Sequence, residues 1–163
     1  MLVVEAFLEP NGHVPVLHVH PRQQQRVEVL DGSLGAQIGS HRSVVGEGAR
    51  LTVPAGTPHR FWNAGETTAQ VVVETTPALR LESLVETLYA LAAEGRTNAR
   101  GLPGPLHLAV IASAHFDTMR LAFPPAPLQR LFLALAAPLG RALGHRPVYV
   151  PDRAAADTST PLG

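Results

Sequence analysis

Three histidines stand at spacings that could bring their imidazole rings to one metal ion. His18 and His20 are two residues apart, so on a β-strand both side chains project from the same face. His59 would join them from a paired strand, and Gln25 is the fourth candidate, where a carboxylate is the more usual ligand. Neutral imidazoles suit a divalent transition metal, so Fe, Ni, Mn, Cu, Co and Zn are all candidate ions.

Gln25 makes the chemistry of this site unusual. Its amide oxygen is a neutral and weaker donor than a carboxylate. The side chain is predicted either to bind the ion directly or to hydrogen-bond a water on the ion. Glu28 cannot replace it, because a residue three positions on faces the other side of the strand. The alternative for the histidines is that they form the polar lining of a barrel that holds no metal.

Composition excludes several classes of function. The 163 residues contain 13 Lys and Arg and 13 Asp and Glu, so the formal net charge is zero and no basic surface for nucleic acid is predicted. There is no cysteine, so a metal must be held by nitrogen and oxygen ligands. No apolar stretch is long enough to predict a membrane span, and the first residues lack the basic start of a signal peptide. We expect a cytoplasmic protein without nucleic-acid or membrane partners.

The sequence predicts that residues 1–76 form an all-β domain. Turn signals such as Asn11-Gly12, Asp31-Gly32 and Pro54-Ala55-Gly56 separate short runs rich in Val, Leu and Ile. Many short strands at such close spacing predict a β-barrel or sandwich. The predicted strands are Leu2–Leu8, Val14–His20, Arg26–Leu30, Leu34–Ile38, Ser43–Val45, Arg50–Val53, His59–Trp62 and Ala69–Glu74.

The hydrophobic period changes after Pro77, which predicts a helical extension over residues 77–150. Leu81 to Leu91 form a helical stripe that ends before Gly95. A second helix is predicted from Leu106 to about Leu121, and a third from about Pro127 to Leu143. Residues 151–163 are predicted to be a flexible tail.

Two motifs resemble the paired patterns of the cupin family. The first is G-x5-H-x-H-x4-Q-x6-G from Gly12 to Gly32, with Gln25 where the family has glutamate. The second, G-x5-P-x-G-x2-H-x3-N, is matched at every fixed position from Gly48 to Asn63. The resemblance implies a mainly β fold, a double-stranded β-helix or jelly roll, followed here by about three α-helices. It also implies that Gly12, Gly32 and Gly48 occupy turns with positive φ.

The resemblance further implies metal ligands at His18, His20, Gln25 and His59, and a small-molecule ligand or substrate. The function favoured is that of a metal-dependent enzyme, an oxidoreductase similar to quercetin dioxygenases. The alternative is a non-catalytic cupin module that binds a small molecule. In similar dioxygenases the glutamate also acts as a base, a role that Gln25 cannot take.

Other side chains near the motifs have a structural and a functional interpretation. Phe61 shares the parity of His59 and is a candidate for lining the pocket, although barrel packing is the simpler role; Trp62 should face the opposite side. Four polar side chains near the first motif are interpreted as solvated groups, with substrate contact as the alternative. They are Arg22, Gln23, Gln24 and Arg26. Open sheet edges and an apolar third helix predict a homodimer.

Overall fold

A computed structural model of the chain describes residues 1–13, 16–99 and 101–149. The elements, in chain order, are β1 (Leu2–Leu8), β2 (His18–Val19), β3 (Gln24–Asp31), β4 (Ser33–Ile38), β5 (His41–Gly46), β6 (Arg50–Val53), β7 (His59–Asn63), β8 (Ala69–Thr76), α1 (Leu81–Ala93), α2 (Pro105–His115), β9 (Arg120–Leu121) and α3 (Ala126–Ala142). The predicted tail, residues 151–163, lies outside the described residues.

Two antiparallel sheets build the barrel. One sheet has the order β1-β8-β3-β6 and the other β5-β4-β7-β2-β9. Alternate residues of each strand point inwards, and a single core cluster unites Val27, Val29, Val53 and Val71 from the first sheet with Leu34, Ala36 and Phe61 from the second. The predicted mainly β jelly-roll fold with three helices is confirmed.

Helix α1 packs through the predicted leucine stripe. Leu81, Leu84 and Leu91 are buried and contact Ile111 of α2. The helix ends before Gly95, whose φ of 67° is the left-handed conformation that glycine tolerates at a helix end. Among the helices that the structure describes, none is long and apolar enough to cross a membrane.

The second helix differs from its prediction. It ends at His115 rather than near Leu121, and Arg120–Leu121 form β9. This strand pairs with β2, so that His18 lies opposite Leu121 and Val19 opposite Arg120. The physical reason is tertiary: the open edge of β2 offers backbone hydrogen-bonding groups, and pairing them outweighs the local preference for helix.

Two further expectations are corrected. The predicted strand Val14–His20 is reduced to β2, and Val14 and Pro15 lie outside the described residues. Gly32 and Gly48 have positive φ as expected, but Gly12 does not. Gly12 is needed for space instead: its amide donates to the Glu9 carbonyl oxygen at 2.7 Å, and an added Cβ would lie 2.7 Å from the same atom.

Candidate metal centre

The two sheets bring the four predicted side chains to one end of the barrel. His18 on β2 lies directly opposite His59 on β7, and His20 follows β2 immediately. Gln25 comes from the opposite sheet. It starts the inward-facing series of β3, ahead of Val27 and Val29, and therefore faces the histidines across the barrel.

The three imidazole rings form a tight cluster. Their potential ligand atoms all lie within 4.8 Å of one another. Ring centroids are 4.3 Å apart for His18 and His59, 5.0 Å for His18 and His20, and 5.4 Å for His20 and His59. Nitrogens that share an ion at about 2.1 Å are roughly 3–3.5 Å apart. The cluster is thus close to, and slightly wider than, the arrangement that an ion requires.

Backbone carbonyl groups fix which nitrogen of each ring carries the proton. The Nδ1–H of His18 donates to the Val16 carbonyl at 3.0 Å, and that of His59 donates to the Thr57 carbonyl at 2.8 Å. The Nδ1–H of His20 donates to the Thr118 carbonyl at 2.8 Å. Each hydrogen bond leaves the Nε2 atom with a free lone pair, which is the tautomer that a metal ligand needs.

Burial keeps all three rings neutral. It lowers the pKa of His18 to about 3, helped by the neighbouring His59 and His20. It lowers the pKa of His59 to about 4 and also lowers that of His20, although hydrogen bonds to backbone carbonyls partly offset the effect in both. At neutral pH the lone pairs are therefore available to a cation without prior loss of a proton.

The Gln25 amide faces two of these lone pairs, but it can donate a hydrogen bond to only one of them. Its Oε1 lies 2.8 Å from His59 Nε2, and its Nε2 lies 3.3 Å from His20 Nε2 and 3.3 Å from Thr75 Oγ1. Since both imidazole Nε2 atoms are acceptors, turning the amide over only moves the conflict from His59 to His20. In either orientation an amide oxygen faces an imidazole lone pair, a contact that a shared cation would relieve.

The donor set therefore fits a divalent transition metal. It consists of three neutral imidazole nitrogens and one amide oxygen, gathered in a buried site. His18, His20 and His59 are the candidate nitrogen ligands, and Gln25 Oε1 is the candidate oxygen ligand. Such a mixed set is compatible with several first-row ions and does not select one of them.

Gln23 is the polar residue whose environment was predicted wrongly. It is 1% exposed rather than solvated. Its Oε1 lies 3.1 Å from His20 Nδ1, and its Nε2 donates to the carbonyl oxygens of Pro77 and Ala78 at 2.9 and 2.8 Å. Thr118 was also missed, because its role belongs to a backbone carbonyl brought in from the helical extension. No local sequence signal could have revealed that contact.

The residues around the site behave as their parity predicts. Phe61 is buried in the barrel core, with its ring centroid 5.7 Å from that of His59. Trp62 faces outwards from that core and covers Gly35, where an added Cβ would lie 2.1 Å from the indole ring. Glu28 is on the outer side of β3, where its carboxylate pairs with Arg50 at 2.9 Å.

The remaining helical histidines have structural partners. His107 Nε2 lies 3.1 Å from the Arg146 carbonyl oxygen, and His115 Nδ1 lies 2.9 Å from the Ile111 carbonyl oxygen. Burial lowers the pKa of both rings. Among the described residues, the only group of three potential metal-binding side chains from His, Cys, Asp and Glu is His18, His20 and His59.

The residues of the barrel are similar to those of known proteins. Residues 4–74 match the family model of the cupin domain. Among curated proteins, no sequence matches. A solved structure described as a sugar phosphate isomerase from a cupin superfamily, from Silicibacter pomeroyi, is 28% identical, with a TM-score of 0.43, over 45% of this chain and 48% of that one.

Two other solved structures match the same share of this chain. A protein from Thermus thermophilus is 27% identical, with a TM-score of 0.42, over 45% of this chain and 69% of that one. A predicted oxalate decarboxylase from Thermotoga maritima is 20% identical, with a TM-score of 0.44, over 45% of this chain and 64% of that one. The match spans about half of the Silicibacter chain. The segment that matches the cupin-domain model, residues 4–74, contains the three histidines and Gln25.

Proposed function

We propose that this protein binds a divalent transition metal through His18, His20 and His59, and that it uses the ion to act on a small organic molecule. The single observation that carries the proposal is the set of three Nδ1–H···O=C hydrogen bonds, which present three Nε2 lone pairs in one buried cluster. A barrel that merely tolerated polar side chains would have no need to fix the same tautomer three times.

The finer proposal is a dioxygenase-like oxidoreductase. When bound, the metal would supply a Lewis acid and, if redox-active, a centre for electron transfer. The chain's own contribution is to orient the imidazoles, to exclude water around them and to hold Phe61 as an apolar wall beside His59. Gln25 can hydrogen-bond a substrate or ligate the ion, but it cannot accept a proton in the reaction.

The second candidate is a cupin module that binds a small molecule without turnover. One observation favours it. Gln25 stands where a similar dioxygenase would have the glutamate that acts as a base.

One set of assays separates the two candidates. Metal-loaded protein is offered flavonol-like and dicarbonyl compounds, while oxygen consumption and heat of binding are recorded. The enzyme proposal expects oxygen consumption that disappears in His59→Ala. Saturable binding without consumption would select the binding module. A protein that retains no metal after loading and desalting would contradict the metal-dependent enzyme.

We also propose a homodimer that forms through α3. The buried face of this helix packs with Gln129, Ala137 and Gly140 inwards, and the opposite face is apolar and open. Five leucines on or next to the helix are between 54% and 73% exposed. The large exposed side chains are Leu128, Leu131, Phe132, Leu135, Leu139 and Leu143.

A second copy of this chain fits that face best. Leu131, Leu135 and Leu139 repeat every four residues and form the kind of ridge that packs into the groove of an identical helix. A standard interface buries about 800 Å² per partner, which large side chains along a 17-residue helix can supply. Binding to a membrane surface is less well supported, because α3 carries only two cations, Arg130 and Arg141.

Sedimentation of the full chain tests this interface. Leu135→Glu should convert a dimer into a monomer, since a charge would enter the centre of the apolar face. Val44→Glu is the matched control, because Val44 is a similarly exposed apolar residue on the edge strand β5. A monomeric wild-type protein, or a Leu135→Glu dimer, would contradict the proposal.

A further inference from the structure

The helical extension reaches the candidate metal centre through β9. This two-residue strand completes the edge of β2, and the Ala122 amide adds a hydrogen bond to the Leu17 carbonyl at 3.1 Å. Two residues before β9, the buried Thr118 turns its carbonyl oxygen towards His20 Nδ1. His20 is thereby linked to a residue 98 positions later in the chain.

Gln23 makes a second link between His20 and the extension. Its side-chain oxygen lies 3.1 Å from His20 Nδ1, and its amide group donates to the carbonyl oxygens of Pro77 and Ala78, where the chain leaves the barrel. His20 Nδ1–H thus lies between two acceptors, both of which depend on the position of the extension. The ring hydrogen bonds of His18 and His59 do not have this dependence, because their carbonyl partners are two residues away in the same segment. Only the backbone of His18 pairs with β9, opposite Leu121.

Both links are buried. His20 is 3% exposed and Gln23 is 1% exposed, so water cannot take over either contact at small cost. If β9 separated from β2, the Nδ1–H of His20 would lose its shorter partner. The ring could then turn or change tautomer, and its Nε2 lone pair would no longer be held towards the other two histidines.

We infer that the helical extension is part of the metal centre: Gln23 and the Thr118 carbonyl hold His20 as a ligand, and metal binding and β9 docking stabilise each other. This inference rests on the proposed metal site. Gln23 is a positioning residue, since it contacts a candidate ligand rather than the ion. Because coupling between two equilibria is reciprocal, an ion held by His20 must protect the β2–β9 pairing as much as the pairing favours the ion.

The variant that tests the inference is Gln23→Met in the full chain. Methionine fills a similar volume but removes the acceptor for His20 and both donated hydrogen bonds. Partners of metal-binding histidines commonly contribute about 10–100-fold in metal affinity, and we expect a loss in that range for Zn²⁺ measured by competition with a chelator. Thr87→Val is the matched control. Its buried hydroxyl accepts from the Tyr149 amide at 3.1 Å, within the extension but remote from His20.

Two further readouts test the inference, and the first of them uses the wild-type protein alone. Hydrogen exchange of the wild-type protein should slow in residues 118–122 when Zn²⁺ binds, most clearly at the Ala122 amide. Nitrogen chemical shifts of metal-free protein should report His20 in the Nδ1–H form, and a mixture of tautomers in Gln23→Met.

The possible results distinguish failure of the proposed metal site from failure of its coupling to the helical extension. If wild-type protein binds no Zn²⁺, the proposed function is wrong and the inference falls with it. If wild-type and Gln23→Met bind Zn²⁺ equally, and exchange in residues 118–122 does not respond to the ion, the metal site stands and the inference is overturned. A selective loss in Gln23→Met, with Thr87→Val unchanged and exchange slowed by Zn²⁺, supports it.

Discussion

Gln25→Glu is the substitution that most directly probes the chemistry of the centre. It changes a neutral amide into a carboxylate without a change of side-chain length, on the inward face of β3. Gln25 is 7% exposed, and its oxygen already lies 2.8 Å from His59 Nε2. An ion bound by His59 would therefore lie within a few ångströms of the new charge.

The expected gain follows from the charges. Two unit charges about 4 Å apart attract by about 4 kcal/mol at an effective dielectric constant of 20, and a divalent ion doubles this to about 8 kcal/mol. Burying the carboxylate costs several kcal/mol, which offsets much of that attraction. We expect a net gain of at least about 1.4 kcal/mol, which is a tenfold decrease in the metal Kd.

The assay is a metal titration at pH 8 of wild-type protein, Gln25→Glu and Gln24→Glu. The alkaline pH matters because a carboxylate beside His59 also favours protonation of that ring, and the proton would compete with the metal. Gln24→Glu is the matched control, since it adds the same charge to the neighbouring, exposed position of β3. Equal affinities of wild-type protein and Gln25→Glu would show that residue 25 does not face the ion. An equal gain in metal affinity in Gln24→Glu would show that the added negative charge, and not its position beside the ion, causes the effect.

Three further results are expected. Metal-free protein should lose stability as the pH falls from 6.5 towards 4, because the unfolded histidines take up protons that folded His18 and His59, with pKa values of about 3 and about 4, do not. Two such protons change the free energy of unfolding by about 2.7 kcal/mol per pH unit. Urea unfolding at several pH values would detect this change. A free energy of unfolding that does not vary with pH would contradict the buried neutral rings. Gly35→Ala should destabilise the fold by about 1–3 kcal/mol, because the added methyl group meets the Trp62 ring; a thermal melt that matches the wild-type melt would contradict that packing. A chain that ends after Pro77 should bind metal poorly and aggregate, as seen by light scattering, because His20 loses the Thr118 carbonyl; a monodisperse product with wild-type affinity would show that the extension is dispensable.

The part of the site that was predictable depends on local geometry. The two-residue period of a strand is enough to place His18 and His20 on one face and to choose Gln25 over Glu28. Fixed spacing around Pro54 and Gly56 is enough to put His59 at the start of β7. Turn residues between apolar runs mark most of the barrel strands, since glycine and proline interrupt strands for steric reasons.

The part that was not predictable depends on contacts between segments that are far apart in the sequence. Nothing in the sequence around Phe116 and Thr118 ends a helix, since neither glycine nor proline occurs between His115 and Phe123. The helix ends there because β2 offers an open edge, and that edge exists only in the assembled barrel. The sequence predicts a solvated Gln23 for the same reason: its partners are the carbonyl groups of Pro77 and Ala78, far along the chain.

The most direct test of the metal centre is anomalous diffraction from crystals of the full chain loaded with Zn²⁺, recorded on both sides of the zinc absorption edge. We expect one strong peak inside the barrel, with the Nε2 atoms of His18, His20 and His59 about 2.0–2.1 Å from it and each Nδ1 still hydrogen-bonded to its backbone carbonyl. An empty barrel with zinc bound elsewhere, or an ion held through Nδ1 atoms, would contradict the proposed metal site.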